Sequence, residues 1–295
     1  MSPGLGPDFS APGWLGWGRR VSLATRHGKE KVIARPFRKG LGAELVLASG
    51  FDTDSLGSFS GERPRLSDAE TTCRLKAEAG MAETGLDLGL ASEGSFGPHP
   101  ALPFLPLAME WMAWVDRAQG LVITEQLVGC RTNFDHCTAS PGADLDPWLD
   151  RIGFPTHAVI VQPHRARAKP CLSKGLGAVA ELREAIEQAS RASSDGLALL
   201  ETDMRAHQNP TRMASIRVLA FKLVRRIASP CPTCGAPGWG RVDVLLGLPC
   251  DWCGTATDLV RSERFGCVSC SASEERPRAD GLTKADPQFC PLCNP

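Results

Sequence analysis

Four CxxC pairs near the C-terminus, Cys231/Cys234, Cys250/Cys253, Cys267/Cys270 and Cys290/Cys293, constrain this chain more than any other feature. A CxxC turn brings two thiolates to one ion, and two such knuckles complete a tetrahedral Zn²⁺ shell at about 2.3 Å per Zn–S bond. Eight thiols in that spacing predict two structural zinc sites, each closed to substrate. A redox role would need one such motif rather than four. Gaps of 15 residues between the first two pairs and 19 between the last two suit consecutive ribbons, with sequential knuckles sharing a zinc. Pairing the first knuckle with the third is the alternative.

Committing eight of twelve cysteines to metal fits a reducing compartment, so a cytoplasmic protein is expected. Cys73, Cys130, Cys137 and Cys171 then read as small apolar side chains. No stretch approaches the roughly 18 apolar residues of a membrane span. Lys plus Arg equals Asp plus Glu at 33 each, so net charge favours neither nucleic acid nor membrane. From 229 to 295 there are six basic and eight acidic residues, too few cations for phosphate-backbone binding. The cysteine-rich tail is therefore expected to stabilise the fold or to dock a protein partner, with Trp239, Trp252, Phe265 and Phe289 as its small core.

Composition divides the chain into a Gly/Pro-rich leader (1–20), an α/β domain (21–228) and a zinc-ribbon domain (229–295). "VSLAT" (21–25), a helical "GKEKVIARPFRKGLG" and "AELVLA" (43–48) open a β-α-β unit. Residues 50–66 read as a loop. "SDAE" is a capping box, with Ser67 at the N-cap and Glu70 at N3, starting a helix to Gly85. The strand 86–92 then delivers Glu93 at its C-terminal end. "WMAWV" and "LVITEQLV" flank a hairpin, "THAVIVQ" (156–162) is a strand, and 177–192 a helix. Strands separated by helices, plus one hairpin, predict a mixed sheet. The helix 209–228 has Asn209 as N-cap, Pro210 at N1, and Met213, Ile216, Leu219, Leu223 and Ile227 on one face. Its surroundings are cationic, with Arg205, Arg212, Arg217, Lys222, Arg225 and Arg226 against no acid between 204 and 228.

Several residues could carry chemistry. His27 and Lys29 follow the first strand at a helix start, where backbone N–H groups favour anions and Lys29 is the natural phosphate contact. Glu70 and Glu93 are expected to meet at the C-terminal edge of the sheet, where open sheets bind ligands, and there to hold Mg²⁺. Arg205 and Arg212 suit phosphate oxygens. Glu201, Asp203 and His207 precede the basic helix and make a candidate metal cluster, though polar residues before a helix often act only as caps.

From "ATRHGKE" through "GFDTD", "ASEGSFGPHP", "TNF" and "ETDMRAHQNPTRM" to the four CxxC pairs, residues 21–295 resemble an uncharacterised bacterial family with a C-terminal zinc-ribbon region. The order "ATRHGKE", "ETTCRLKAEAGMAETGLDLGLASEGSF", hairpin, "NPTRMASIRVLAFKL" is also similar to inosine triphosphatase-like pyrophosphatases. That resemblance implies a mixed-sheet α/β domain of their type that hydrolyses a nucleotide or other phosphoanhydride with Mg²⁺. It implies Thr25 and Lys29 as the phosphate turn, Glu70 and Lys76 on the helix, Glu93 as the metal-binding acid and Arg212 as the late arginine. His27 stands where that turn has Asn, Ser92-Glu93 where it has two Asp, and Pro210-Thr211 where it has Ser-His. The competing expectation is a non-enzymatic binding scaffold, with the two carboxylates apart and an exposed apolar patch on the ribbons.

Overall fold

The computed structural model describes residues 18–50, 68–165 and 173–294. Most of the leader, the loop 50–66 apart from Gly50, Ser67 and Cys171 lie outside those residues. Three sheets follow one another along the chain. The first has strand order β2-β1-β3-β4-β5, built from β1 (Arg20–Ala24), β2 (Glu44–Ala48), β3 (Leu88–Pro98), β4 (Pro106–Asp116) and β5 (Leu121–Gly129). β2, β1 and β3 run parallel, and β4 is antiparallel to both its neighbours. The chain is mixed α/β, with a mixed sheet and a cysteine-rich C-terminal module.

Helices cover both faces of this sheet, which is why β1 and the first seven residues of β3 are buried almost throughout. On one face lie α1 (Glu30–Leu41) and α5 (Pro210–Ile227), whose Phe37, Ile216, Leu219 and Leu223 pack on Leu23, Leu90, Met112 and Trp114. Each such side chain contributes about 1.5–3 kcal/mol by leaving water. On the other face α2 (Ala69–Thr84) lays Cys73, Ala77 and Met81 over Ala91, Ala113 and Val115. Lys76 lies among the buried residues of this helix. Asn209 caps α5 by accepting from the Arg212 N–H, and Pro210 sits in its first turn, as the sequence indicates.

The cap of α2 is Asp68, which accepts from Thr71 N–H at 2.8 Å; Glu70 is thereby the second helical residue rather than a capping-box partner. A second difference lies in β3. It continues to Pro98, so Glu93 is in mid-strand, because "EGSFGP" pairs residue by residue with β4 from Trp111 back to Pro106. Alternation of small residues hides this extension from periodicity.

A second sheet, order β6-β9-β7-β8, is antiparallel throughout. It comprises β6 (His136–Ala139), β7 (Val159–Pro163), β8 (Ser173–Leu176) and β9 (Ala198–Thr202), with α3 (Asp146–Ile152) and α4 (Val179–Ala192) packed on it. The strand in "THAVIVQ" therefore belongs to a separate sheet. The backbone links Ala158 N–H to Gln208 O and Asp203 N–H to Ala158 O tie this unit to the start of α5.

The third sheet, β10 (Gly240–Leu246), β11 (Val260–Gly266) and β12 (Ser273–Pro277), is antiparallel. Its root is docked on the first sheet: Ala236 and Val268 pack against Leu121, and the Arg226 guanidinium donates to the Gly238 carbonyl at 3.2 Å. Among the described residues, no helix is long and apolar enough to cross a membrane.

Candidate anion site at the switch point and two four-cysteine centres

In the first sheet the chain moves from β1 to β2 on one side, then returns past β1 to β3 on the other. The crevice beyond the carboxyl end of β1, alongside the middle of β3, is thus a topological switch point, the kind of place where open α/β sheets take ligands. Pairing of β1 with β3 stops at Ala24↔Ala91, which leaves the next β3 carbonyl without a strand partner. Lys29 supplies one: its Nζ donates to Ser92 O at 2.9 Å and to Ser92 Oγ at 3.1 Å.

Lys29 is buried and stands at the N-cap of α1, which has no side-chain cap; the Lys31 N–H donates to Gly28 O at 3.2 Å and the Val32 and Ile33 N–H groups to Lys29 O at 3.1 Å. The preceding Gly28 has φ +68°, a left-handed turn that positions this helix start. Thr25 Oγ1 is buried there without a hydrogen-bond partner among the described residues. His27 stacks on His207 of the second unit, with centroids 5.1 Å apart and rings 8° from parallel.

Two buried ion pairs flank the crevice, one on each face of the sheet. Lys76 Nζ lies 2.6 Å from Glu93 Oε2 on the α2 face, and Arg212 Nε lies 2.6 Å from Glu110 Oε1 on the α5 face. The second pair crosses directly over Gly94, where an added Cβ would stand 2.7 Å from both Arg212 Nη2 and Glu110 Oε2. Arg205 makes a bidentate contact with Asp203. The Arg212 guanidinium also lies over Phe96, 5.1 Å from its centroid. Phe96 in turn stacks on Phe134 at 6.4 Å, a wall of a groove of about 510 Å³ that includes Phe104, Asp135 and Arg151.

Ionisation records the local field. Burial, then the charge of Arg212, lowers Lys29 to about 8, while Glu93 and Glu110 pull the other way. Burial and then the charges of Lys29, His207, Arg212 and Arg205 push His27 down to about 3. The imidazole is therefore neutral at ordinary pH, with cationic side chains as its main charged neighbours. Burial pushes the Cys73 thiol up to about 12 and the Cys137 thiol up to about 11, which leaves both inert as nucleophiles at neutral pH.

The structure brings Thr25, Lys29, Lys76, Glu93, Arg205 and Arg212 around this crevice, but it does not bring Glu70 to Glu93. Glu70 is exposed and accepts from Thr124 Oγ1 at 2.7 Å. Thr124 pairs with Ala113, which pairs with Ala91, so Glu70 stands over a strand about two spacings, roughly 10 Å, from β3. No Mg²⁺ site formed by these two acids results. The basic stretch around α5 is likewise less free than its sequence suggests, because acids from other strands meet it: Glu110 takes Arg212, and Glu125 takes Lys222 and Arg226. Glu201 accepts from Gln162, Asp203 holds Arg205 and His207 stacks on His27, so the expected Glu/Asp/His metal cluster is absent among the described residues. Glu110 itself escaped sequence reading: it sits in an apolar strand, and its one signal is that a lone acid between apolar neighbours requires a partner if the strand is buried.

The eight knuckle cysteines form two groups, Cys231, Cys234, Cys267 and Cys270, and Cys250, Cys253, Cys290 and Cys293, with all ligand atoms of each within 4.8 Å of one another. Sulfur separations are 3.8 and 3.7 Å in the first and 4.0 and 3.6 Å in the second. A tetrahedron with Zn–S bonds of about 2.3 Å has edges of about 3.8 Å, so both groups fit Zn²⁺. Backbone N–H groups of Thr233, Ser269 and Cys293 point at the sulfurs. Each zinc would be held by a closed shell and would stabilise the fold.

Sharing is first with third and second with fourth. Strand direction is the cause. β10 carries the chain seven residues away from the first knuckle, roughly 24 Å at about 3.4 Å per residue, and antiparallel β11 brings the third knuckle back. β12 then returns the fourth knuckle to the second. One centre lies at the docked root of the sheet and the other at its far end. Trp239 is buried and Phe265 half-buried beneath Arg276, but Trp252 and Phe289 are exposed and form no core.

A family model, Domain of unknown function (DUF6671), matches residues 76–295. No curated protein matches the chain, and no solved structure matches it. The matched span includes Lys76, Glu93, Glu110, Arg212 and both four-cysteine centres. The likeness to inosine triphosphatases rests on the order of the sequence motifs alone.

Proposed function

We propose, from the premise that the chain belongs to this family of unknown function and takes no activity from it, that the protein binds a nucleotide or other phosphate-bearing small molecule at the β1/β3 switch point. The observation that carries this reading is the convergence of Lys29, Lys76, Arg205 and Arg212 from four separate segments, against three acids, Glu93, Glu110 and Asp203. Burying a charge costs several kcal/mol per ion, which pairing offsets only in part, so a cluster of this kind is weak support for stability alone. The unpartnered Thr25 hydroxyl supplies a further donor for phosphate oxygens.

Hydrolysis of a phosphoanhydride is the second reading, favoured by one fact: Glu93 is a buried acid at the same edge as Lys29. With Glu70 elsewhere, Glu93 would have to act without that partner, and binding alone is the better supported function. The test is calorimetric titration of the zinc-loaded protein with standard and deaminated nucleoside triphosphates, with and without Mg²⁺, alongside release of phosphate and pyrophosphate. We expect binding that Lys29→Met weakens roughly 10- to 100-fold, the range for loss of a charged hydrogen bond. Turnover abolished by Glu93→Gln with binding intact would establish the hydrolase. Absence of binding across the panel would refute both.

A further inference from the structure

The two four-cysteine centres end the same sheet, so each is a control for the other. At the docked root, the residues before the second cysteines of the knuckles are Thr233 and Ser269; at the far end they are Trp252 and Leu292. Trp252 is 77% exposed, Leu292 68% and the neighbouring Phe289 53%. Each adjoins in sequence a cysteine of one centre whose sulfurs lie within 4.8 Å of one another, so all three flank that centre. Scattered apolar residues on a surface need no explanation, but a tryptophan, a phenylalanine and a leucine gathered on one rigid support do.

The charge around them selects the occupant. A zinc tetrathiolate carries a net charge of −2. Asp251 and Asp286 lie on the same knuckle segments, and Lys284, which meets Asp251 at 2.8 Å, is the neighbouring cation. An apolar centre in an anionic setting repels nucleic acid and acidic lipid, and a second copy would bring the same sign. We propose that the far zinc centre docks a basic amphipathic segment of a partner protein, with Trp252 and Leu292 as anchors and Lys or Arg residues of the partner meeting the surrounding charge. Tryptophan is the residue type that most often dominates such contacts.

The probe is a Leu/Lys amphipathic peptide of about five helical turns, titrated calorimetrically into the zinc-loaded full chain, with a Leu/Glu peptide of the same length as control. The variant is Trp252→Thr with Leu292→Ser, which copies the other centre; metal analysis must give two zincs per chain for both proteins. The expected result is binding of the Leu/Lys peptide by the wild type, weakened at least about tenfold in the variant, and no binding of the Leu/Glu peptide. Equal affinity in wild type and variant, no binding by the wild type, or equal binding of both peptides overturns the proposal. Sedimentation equilibrium showing wild-type self-association that the variant loses would assign the patch to a second copy and overturn it too.

Discussion

The switch-point crevice and the zinc module both gather charged groups, and they solve the resulting repulsion differently. In the module four thiolates from two knuckles that the sheet brings together would meet one Zn²⁺, which would offset half of their charge within a few ångströms. In the crevice, Lys29, Lys76, Glu93, Glu110 and Arg212 come from distant segments and leave a cation in excess. The module's charge would be answered by a metal, whereas on the proposed reading the surplus cation of the crevice serves a ligand.

The strongest way to break this contrast is to remove metal. Structural zinc supplies about 10–16 kcal/mol of apparent folding free energy in isolated finger peptides. Cys231→Ser should lower zinc content from two to one per chain and destabilise the first sheet as well, because Ala236 and Val268 rest on Leu121. Cys253→Ser should lose one zinc with little change in the thermal midpoint of the α/β part. Equal effects of the two substitutions, measured by metal analysis and calorimetry, would contradict the placement of the centres.

Next in size is the Arg212–Glu110 pair. Glu110→Gln deprives a buried guanidinium of its carboxylate and should cost about 3–5 kcal/mol in denaturant titrations. The double substitution Glu110→Leu with Arg212→Met should recover most of that stability yet bind no phosphate ligand. A stable double variant that still binds would mean the pair is structural only.

The smallest effect is on pH dependence. Burial lowers Lys29 in the folded chain to about 8 from 10.5, so between those values the unfolded chain holds the proton more tightly, and this residue's contribution to stability rises with pH across that window. Ligand affinity should move the opposite way, falling as pH passes about 8 and the ammonium discharges. His27, held near 3 in the folded chain against 6.5 unfolded, likewise makes stability rise with pH between those values, but it stays neutral in the folded chain and so adds no step to ligand affinity between pH 5 and 7. Calorimetric titrations over this range check both statements, and Lys29→Met should erase the alkaline limb.

How much of this was legible in the sequence follows from how far apart the cooperating residues lie. α5, its Asn209 cap, the β4/β5 hairpin and the eight cysteines announce themselves through local spacing. The sequence leaves the sharing of those cysteines open, because it depends on strand direction, a property of the sheet rather than of the knuckles. Lys29 could be read from a helix start after a strand. Its bond to Ser92, 63 positions later, could not, nor could Glu110 as the partner of Arg212, 102 positions away. Glu70 misleads for the same reason: its register over β5 rather than β3 is set by how α2 lies on the sheet.

Amide hydrogen exchange with and without the tightest-binding nucleoside triphosphate tests the central claim most directly. Ligand at the β1/β3 switch point should slow the amides of His27–Ile33, the turn and first residues of α1, at least about tenfold while leaving the zinc module unchanged. Protection confined to the zinc module or to the second sheet, with His27–Ile33 exchanging as before, would contradict it.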